Sequence, residues 1–516
     1  MLAKTFFASI LPADMIAKVY SSAPYGYEGS LITVEGASSK GLPQFDIVGM
    51  ANRTVSEARQ RVRNAIRSSG LSFPASHITI NLAPAELQKD GNFFDLPIAT
   101  CILVLSNQLR LNDLEDSIIV GELSLDGQVK PVRGIINIIE AGKHKGIRKF
   151  YIPHKNINQA SLIKDVEIIG VKSLQELILY LKGQKRPEKT ISNVVKNTET
   201  VVEGPNLDEI HGQEFAKRAL ITAVAGRHNL IFSGPPGAGK TMLAHAAISL
   251  MPQLTDVEKL EITKLYSLSG DITGLIETRP FRSPHHTATL LSVVGGGGAH
   301  IFPGEVSLAH LGILYLDELP EYQRQVLESL RQPLEDKQIT ITRANARTTY
   351  PADFMLLATM NPCPCGYYGD PTHRCKCTQF EIKRYQSKLS GPLLDRIDIQ
   401  ANVERVKASS LYEHSLKSET MSVVKNTITE AIARQHARYH DKTTYNGTLS
   451  STKVVQFIEL TKPAKQLLDE SSERLKLSAR SYFKVIKVAR TIADLAGKDK
   501  VEEPHIIEAL SYRFSP

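Results

Sequence analysis

Cysteine is scarce in this chain of 516 residues, and four of its five cysteines fall in one stretch, "NPCPCGYYGDPTHRCKC", 361–377. Thiols so few and so clustered do not form the disulfide framework that staples small secreted domains. The fifth, Cys101, lies in "LPIATCILVLSN" and reads as a small buried hydrophobe without a partner. That segment is the longest apolar run after the opening residues, and it is too short to cross a bilayer. The opening "MLAKTFFASILPADMIAKVY" is broken by Pro12, Asp14 and Lys18 before it resembles a secretory signal. A cytoplasmic location with no membrane partner is therefore expected. Internal repeats and low-complexity tracts are missing as well. Charge is only mildly one-sided: 62 Lys and Arg against 54 Asp and Glu give +8, which suits a polyanion partner and equally a solvated surface.

What is present is a multidomain pattern. With 42% hydrophobic residues, a chain of this length can bury several cores. Strand-like runs such as "GSLITVEGA" and "SHITINLAP" alternate with helical ones such as "TVSEARQRVRNAIRSSG", predicting an α/β or α+β domain over residues 1–182. Residues 183–205 are polar, lack either period and predict a linker. An α/β block follows over 206–405, and the runs within 406–516 are all helical in period.

The segment "LIFSGPPGAGKTMLAHA" joins an apolar strand to a helix through G-x-x-x-x-G-K-T, 234–241. Gly234, Pro235, Pro236, Gly237, Ala238, Gly239, Lys240, Thr241 and Met242 would then cradle the phosphates of ATP. Lys240 would reach the β and γ oxygens and Thr241 would ligate Mg²⁺. A chance Gly/Pro turn is the plainer alternative, and the strand and helix flanks argue against it. Downstream, "LGILYLDELPE" ends an apolar strand in Asp317 and Glu318. Asp317 suits the carboxylate beside Mg²⁺ and Glu318 the base that orients a hydrolytic water; a helix N-cap would use similar residues. A third strand, "DFMLLATMNP", ends at Asn361, which could position the same water. Arg396 in "LLDRID" is the candidate arginine finger for a neighbouring subunit's γ-phosphate, and Arg480 in "LSARSYF" a lid arginine. Pairing of Arg396 with Asp395 or Asp398 is the competing reading.

In this order, with "RPFRSPHHTATLLSVVGGGGAHIFPGEVSLAHLGILYLDELPE" between them, these motifs resemble the magnesium-chelatase branch of the AAA+ ATPases. More narrowly, over essentially the full chain, they resemble the ComM/YifB family. The resemblance implies an AAA+ P-loop core with a C-terminal helical lid and a ring, usually a hexamer, with ATP between subunits. It implies DNA as partner and branch migration during natural transformation as the activity. It also places Arg282, His285, His286 and glycines 295–298 on an insertion facing the pore; buried histidines and a flexible connector are the alternatives. A chelatase-type ATPase that remodels a protein partner and an ATP-switched scaffold are rival readings.

Two N-terminal segments, "LAPAELQKDGNFFDLPIA" and "GELSLDGQVKPVRGIINIIEAGKHKGIRKFYIPH", resemble the catalytic domain of Lon-type proteases, implying a ribosomal S5 domain 2-like α+β fold. The resemblance puts the serine nucleophile at position 93 and its lysine at 136, where this chain has Phe93 and Ile136. Lys89, Ser124 and Lys130 do not restore the spacing, so ATP-dependent proteolysis is not expected. The helix beginning near residue 53 carries Arg53, Arg59, Arg63 and Arg67, either a ridge for phosphates or a solvated face.

The four clustered thiols, Cys363, Cys365, Cys375 and Cys377, follow C-P-C-x₉-C-K-C. They offer a tetrahedral set for structural Zn²⁺, with His373 as a substitute ligand, although one intervening residue is short of the usual C-x₂-C knuckle. Reduced thiols packed in a loop are the alternative. Either way the loop would hold Tyr367, Tyr368, Arg374 and Lys376 near Asn361, where they could stack on bases and contact phosphates.

Overall fold

The computed structural model describes residues 15–49, 53–85, 89, 93–114, 116–187, 204–270, 274–297, 301–343, 346–405 and 421–513. Most of the expected linker (188–203), the start of the expected helical region (406–420), Gly298 and the side chain of Arg53 lie outside that description. The chain divides into two compact units. The first comprises Met1–Asn197, Lys259–Glu277 and Gly297–Phe302, and the second Thr198–Glu258, Thr278–Gly296 and Pro303–Pro516.

The first unit is built on a mixed seven-stranded sheet. Its spatial order is Gln44–Val48, His77–Ala83, Glu28–Ser39, Met15–Tyr25, Ser117–Ile119, Lys149–Pro153 and Glu167–Val171. Alternation decides which face is inward: Ile32 and Val34 are buried on one strand, and Ile78, Ile80 and Leu82 on its antiparallel neighbour. The apolar run around Cys101 forms the helix Asp95–Leu105, in which every residue is buried. A helix apolar on all sides has to be enclosed, and the Cys101 thiol, 3.7 Å from Ala17 O, is pushed up to about 12 by that burial.

Lys259–Glu277, which falls inside the expected 206–405 block, clusters with this first unit. Polar groups hold it there. Lys264 Nζ lies 2.8 Å from Glu140 and 3.4 Å from Glu28, and the Gly134 amide donates to Ser267 O at 2.8 Å.

The second unit carries a five-stranded, wholly parallel sheet in the order Phe281–Arg282, Ile313–Leu316, Met355–Met360, Leu230–Ser233 and Ile399–Asn402. The three central strands are buried at every position, which is why "LIFS", "ILYL" and "MLLATM" are unbroken apolar runs rather than alternating ones. The helices Met421–Tyr439, Lys462–Arg474, Ala479–Leu495 and Glu503–Ser511 do not make a separate core. Ile428, Leu468, Val488 and Ile506 join Leu230, Phe232 and Leu357 in one buried cluster.

Candidate functional site

The polar motifs of the second unit meet at one sheet edge because their strands are neighbours. Ser233 stands opposite Met360, and Leu316 opposite Ala358. Gly234, Asp317 and Asn361 therefore leave the carboxyl ends side by side, where open α/β sheets receive ligands.

The loop after Ser233 depends on its glycines for two separate reasons. Gly237 (φ 74°) and Gly239 (φ 91°) occupy the left-handed region, and a Cβ on either would meet nothing within 4 Å, so the loop is open on that side. At Gly234 the constraint is closeness, since a Cβ there would sit 2.1 Å from Val403 O. The helix Lys240–Leu250 begins at the end of the loop, and its unpaired N–H groups complete an anion cradle.

Lys240 Nζ donates to Gly234 O (2.6 Å), Pro235 O (2.9 Å) and Asn361 Oδ1 (3.0 Å). Burial brings this ammonium down to about 8, against the opposing pull of Asp317 and Glu318. Asp317 Oδ1 accepts from the hydroxyls of Tyr315, at 2.7 Å, and Thr359. Tyr315 also stands beside Thr241, so one phenol neighbours both residues expected to hold Mg²⁺. The open glycine loop, with Thr241 and Asp317 flanking that phenol, fits a magnesium-bound triphosphate. Glu318 is exposed and adopts φ 52°, with its amide donating to Thr359 Oγ1 at 3.0 Å. A non-glycine residue in that region costs energy, and such residues gather at functional sites.

Lys240, Thr241, Asp317, Glu318 and Asn361 are thus brought together, and Arg396 and Arg480 are not among them. Both arginines hold Glu335, with Arg396 Nη2 2.6 Å from Oε2 and Arg480 Nη1 2.6 Å from Oε1. Together with Lys337, Lys484 and Lys487 they line a separate cleft of about 570 Å³. The acidic partner of Arg396 is Glu335 rather than Asp395 or Asp398; the carboxylate of Asp398 faces the His228 ring at 3.6 Å and accepts from the Asn229 amide.

The four thiols form one group, with all sulfurs within 4.8 Å of one another. Cys363 and Cys365 are 3.4 Å apart, Cys363 and Cys375 3.7 Å, and Cys365 and Cys375 3.6 Å. A disulfide needs ~2.05 Å, whereas Zn–S bonds of ~2.3 Å arranged tetrahedrally put the sulfurs about 3.8 Å apart. The short C-P-C spacing is accommodated by a turn: Gly366, at φ 84°, donates its amide to Cys363 O at 2.9 Å. Amides of Tyr368 and Cys377 donate to Cys363 and Cys375 sulfurs at 3.3 and 3.4 Å. His373 stands outside the group. Its Nδ1 faces Thr372 and Arg405, and its ring stacks on Tyr367 at 5.1 Å. Tyr367 is therefore occupied internally, while Tyr368, Arg374 and Lys376 are exposed.

The histidine segment is likewise open on one side. The His285 and His286 rings lie 4.1 Å apart with His285 exposed, but Arg282 is committed to Glu305 by bonds of 2.6 and 2.7 Å. On the first unit, Arg59 and Arg67 are exposed, with Arg59 3.4 Å from Asp46, and Arg63 stacks on Phe73 at 4.9 Å. Phe93 packs against the cluster that buries Ile136, and the place of a Ser–Lys pair is an apolar core.

Three contributors were missed in the sequence. Tyr315 and Thr359 sit two residues before Asp317 and Asn361, and the period of two that places them on the same strand face was the available signal. Arg405 carries none.

Comparison with known proteins agrees with this architecture. Residues 206–411 match the family model "Magnesium chelatase, subunit ChlI", residues 34–156 "Subunit ChlI of Mg-chelatase", and residues 418–513 "Magnesium chelatase, subunit ChlI C-terminal". Competence protein ComM of Haemophilus influenzae is 42% identical over 504 residues, covering 96% of this chain and 97% of that protein. The uncharacterized protein YifB of Escherichia coli is 40% identical over 502 residues, 96% of each. Lon protease 2 of Bacillus subtilis is 29% identical over 198 residues, 35% of each chain. With similarity running almost from end to end, the chain belongs to the ComM/YifB family of magnesium-chelatase-like proteins.

Proposed function

We propose that this chain is an ATP-driven DNA motor, working as a ring, most simply a hexamer, that promotes branch migration of recombination intermediates during natural transformation. The observation that carries the reading is the meeting of Lys240, Asp317, Glu318 and Asn361 at three adjacent strand ends, in a chain similar throughout to a competence protein. Bound ATP and Mg²⁺ would supply the scissile phosphoanhydride and the charge that neutralises it. With these groups bound, Lys240 would be the cation for the phosphate oxygens, Thr241 and Asp317 would hold the metal, and Glu318 would orient water together with Asn361. Arg396 and Arg480, gathered in one cleft by Glu335, would serve the nucleotide of the next subunit. Exposed His285, Tyr368, Arg374 and Lys376 are the groups offered to DNA. The four cysteines would hold a structural Zn²⁺, and as four protein ligands they would leave it no catalytic part.

The test is ATP-dependent strand exchange on a labelled four-way junction with wild type and Glu318→Gln. Processing by wild type alone is expected. The three chelatase-type matches favour a second reading, a remodeller of a protein partner. Absence of junction processing, with hydrolysis indifferent to DNA, selects it.

A further inference from the structure

The cysteine loop touches the phosphate loop. Cys363 follows Asn361 by two residues, and Asn361 Oδ1 accepts from Lys240 Nζ. Gly366, at the turn that gathers Cys363 and Cys365, is packed so closely on the phosphate loop that a Cβ there would lie 2.6 Å from Pro236 Cδ. Arg405 makes a second bridge. Its Nη2 donates to Pro236 O at 3.2 Å, Nη1 meets His373 Nδ1 at 3.0 Å, and Nε stands 3.6 Å from Asp370 Oδ2. The guanidinium also lies over the Tyr367 ring, 5.5 Å from its centroid. Asp370, Tyr367 and His373 all belong to the stretch spanned by the four thiols. One end of this strut is therefore fixed by the thiol cluster and the other is a carbonyl of the loop that would cradle phosphate.

We propose that the four thiols bind one Zn²⁺ whose role is to position the phosphate loop, so that metal occupancy sets nucleotide affinity. This rests on the reading of 234–242 as the nucleotide loop. The loop from 363 to 377 is largely exposed and polar; with few apolar groups to order it, its shape depends on ligation. Without the metal, Gly366 and the partners of Arg405 lose their fixed places. Pro236 is then free to shift, and the cradle must be ordered at the expense of binding.

The experiment uses the full chain, purified without chelator. Zinc is measured by elemental analysis, and the affinity for a fluorescent ATP analogue is titrated before zinc release by a mercurial reagent, after it, and after zinc is returned. One zinc per chain is expected, with affinity falling about tenfold on release and recovering on return. Arg405→Ala should keep its zinc and still lose several-fold in affinity, which separates loss of the strut from loss of the metal; unchanged affinity in a zinc-loaded variant overturns the strut. Substoichiometric zinc with full nucleotide affinity overturns the metal site. Zinc present but affinity unchanged by its release overturns the coupling. Stoichiometric zinc in a chain that binds no nucleotide at all defeats the nucleotide reading, and the coupling with it, while leaving the metal site in place.

Discussion

Lys89 in the first unit and Lys240 in the second are both withdrawn from water, and their surroundings differ. Lys89 in the first unit is 2% exposed and donates to Pro84 O, and burial alone lowers its pKa. Lys240 in the second is half-buried and tied to two loop carbonyls and an amide oxygen, with Asp317 and Glu318 pulling its pKa upward against burial. The positions where the Lon resemblance puts a serine and a lysine hold Phe93 and Ile136, packed in an apolar cluster. An ionisable group becomes usable where polar neighbours surround it beside an open face, as at Lys240, and positions 93 and 136 offer no such group.

The comparison breaks most readily at Lys240. Lys240→Ala should reduce nucleotide turnover on the order of 10³-fold, since a preorganised cation at the phosphates is lost, while far-ultraviolet circular dichroism stays unchanged. A folded variant with near-normal turnover would put the centre elsewhere. Next in size, Ile136→Lys combined with Phe93→Ser should yield no peptide hydrolysis and cost about 3–5 kcal/mol in denaturant unfolding, because it buries an unpaired charge. Cleavage of an unfolded protein by this variant would mean that the first unit retains a competent oxyanion environment.

A pH titration sharpens the contrast. The charged form of Lys240 binds phosphate, and with a pKa of about 8 in the free protein it is mostly charged at pH 7. Nucleotide affinity should therefore be full at pH 7 and fall roughly tenfold by pH 9, as binding comes to require uptake of a proton. Isothermal titration in two buffers of different ionisation enthalpy would register that uptake. A flat profile would remove Lys240 as the titrating group. The smallest effect belongs to Glu335→Ala. Burial raises the Glu335 carboxyl, but Arg480 and Arg396 outweigh it and hold the group below its ordinary value. Because the site is partly exposed, loss of these pairs should change stability by no more than about 1 kcal/mol, and hydrolysis by the assembled protein should change more than hydrolysis at high dilution.

Much of the centre was legible because its chemistry is local. A strand, a glycine loop and a helix in immediate succession fix Gly234, Gly237, Gly239, Lys240 and Thr241 relative to one another whatever surrounds them. The unbroken apolar runs ending in Asp317 and Asn361 likewise announce buried parallel strands with polar tips. The thiols were legible as a group by proximity in the chain, whereas His373, expected as a substitute ligand, stacks on Tyr367 and meets Arg405 outside the group of four.

Determined by sequence alone, then, are the identities and local order of the phosphate loop, the strand-tip carboxylates and the cysteine cluster, because short-range covalent geometry enforces them. Tertiary structure alone decided that Thr359 holds Asp317, that Glu335 gathers Arg396 and Arg480, that Lys259–Glu277 clusters with the first unit, and that Arg405 joins the cysteine loop to Pro236. Each of these pairs groups far apart in the chain, and their meeting follows from strand order and packing, which no local pattern encodes.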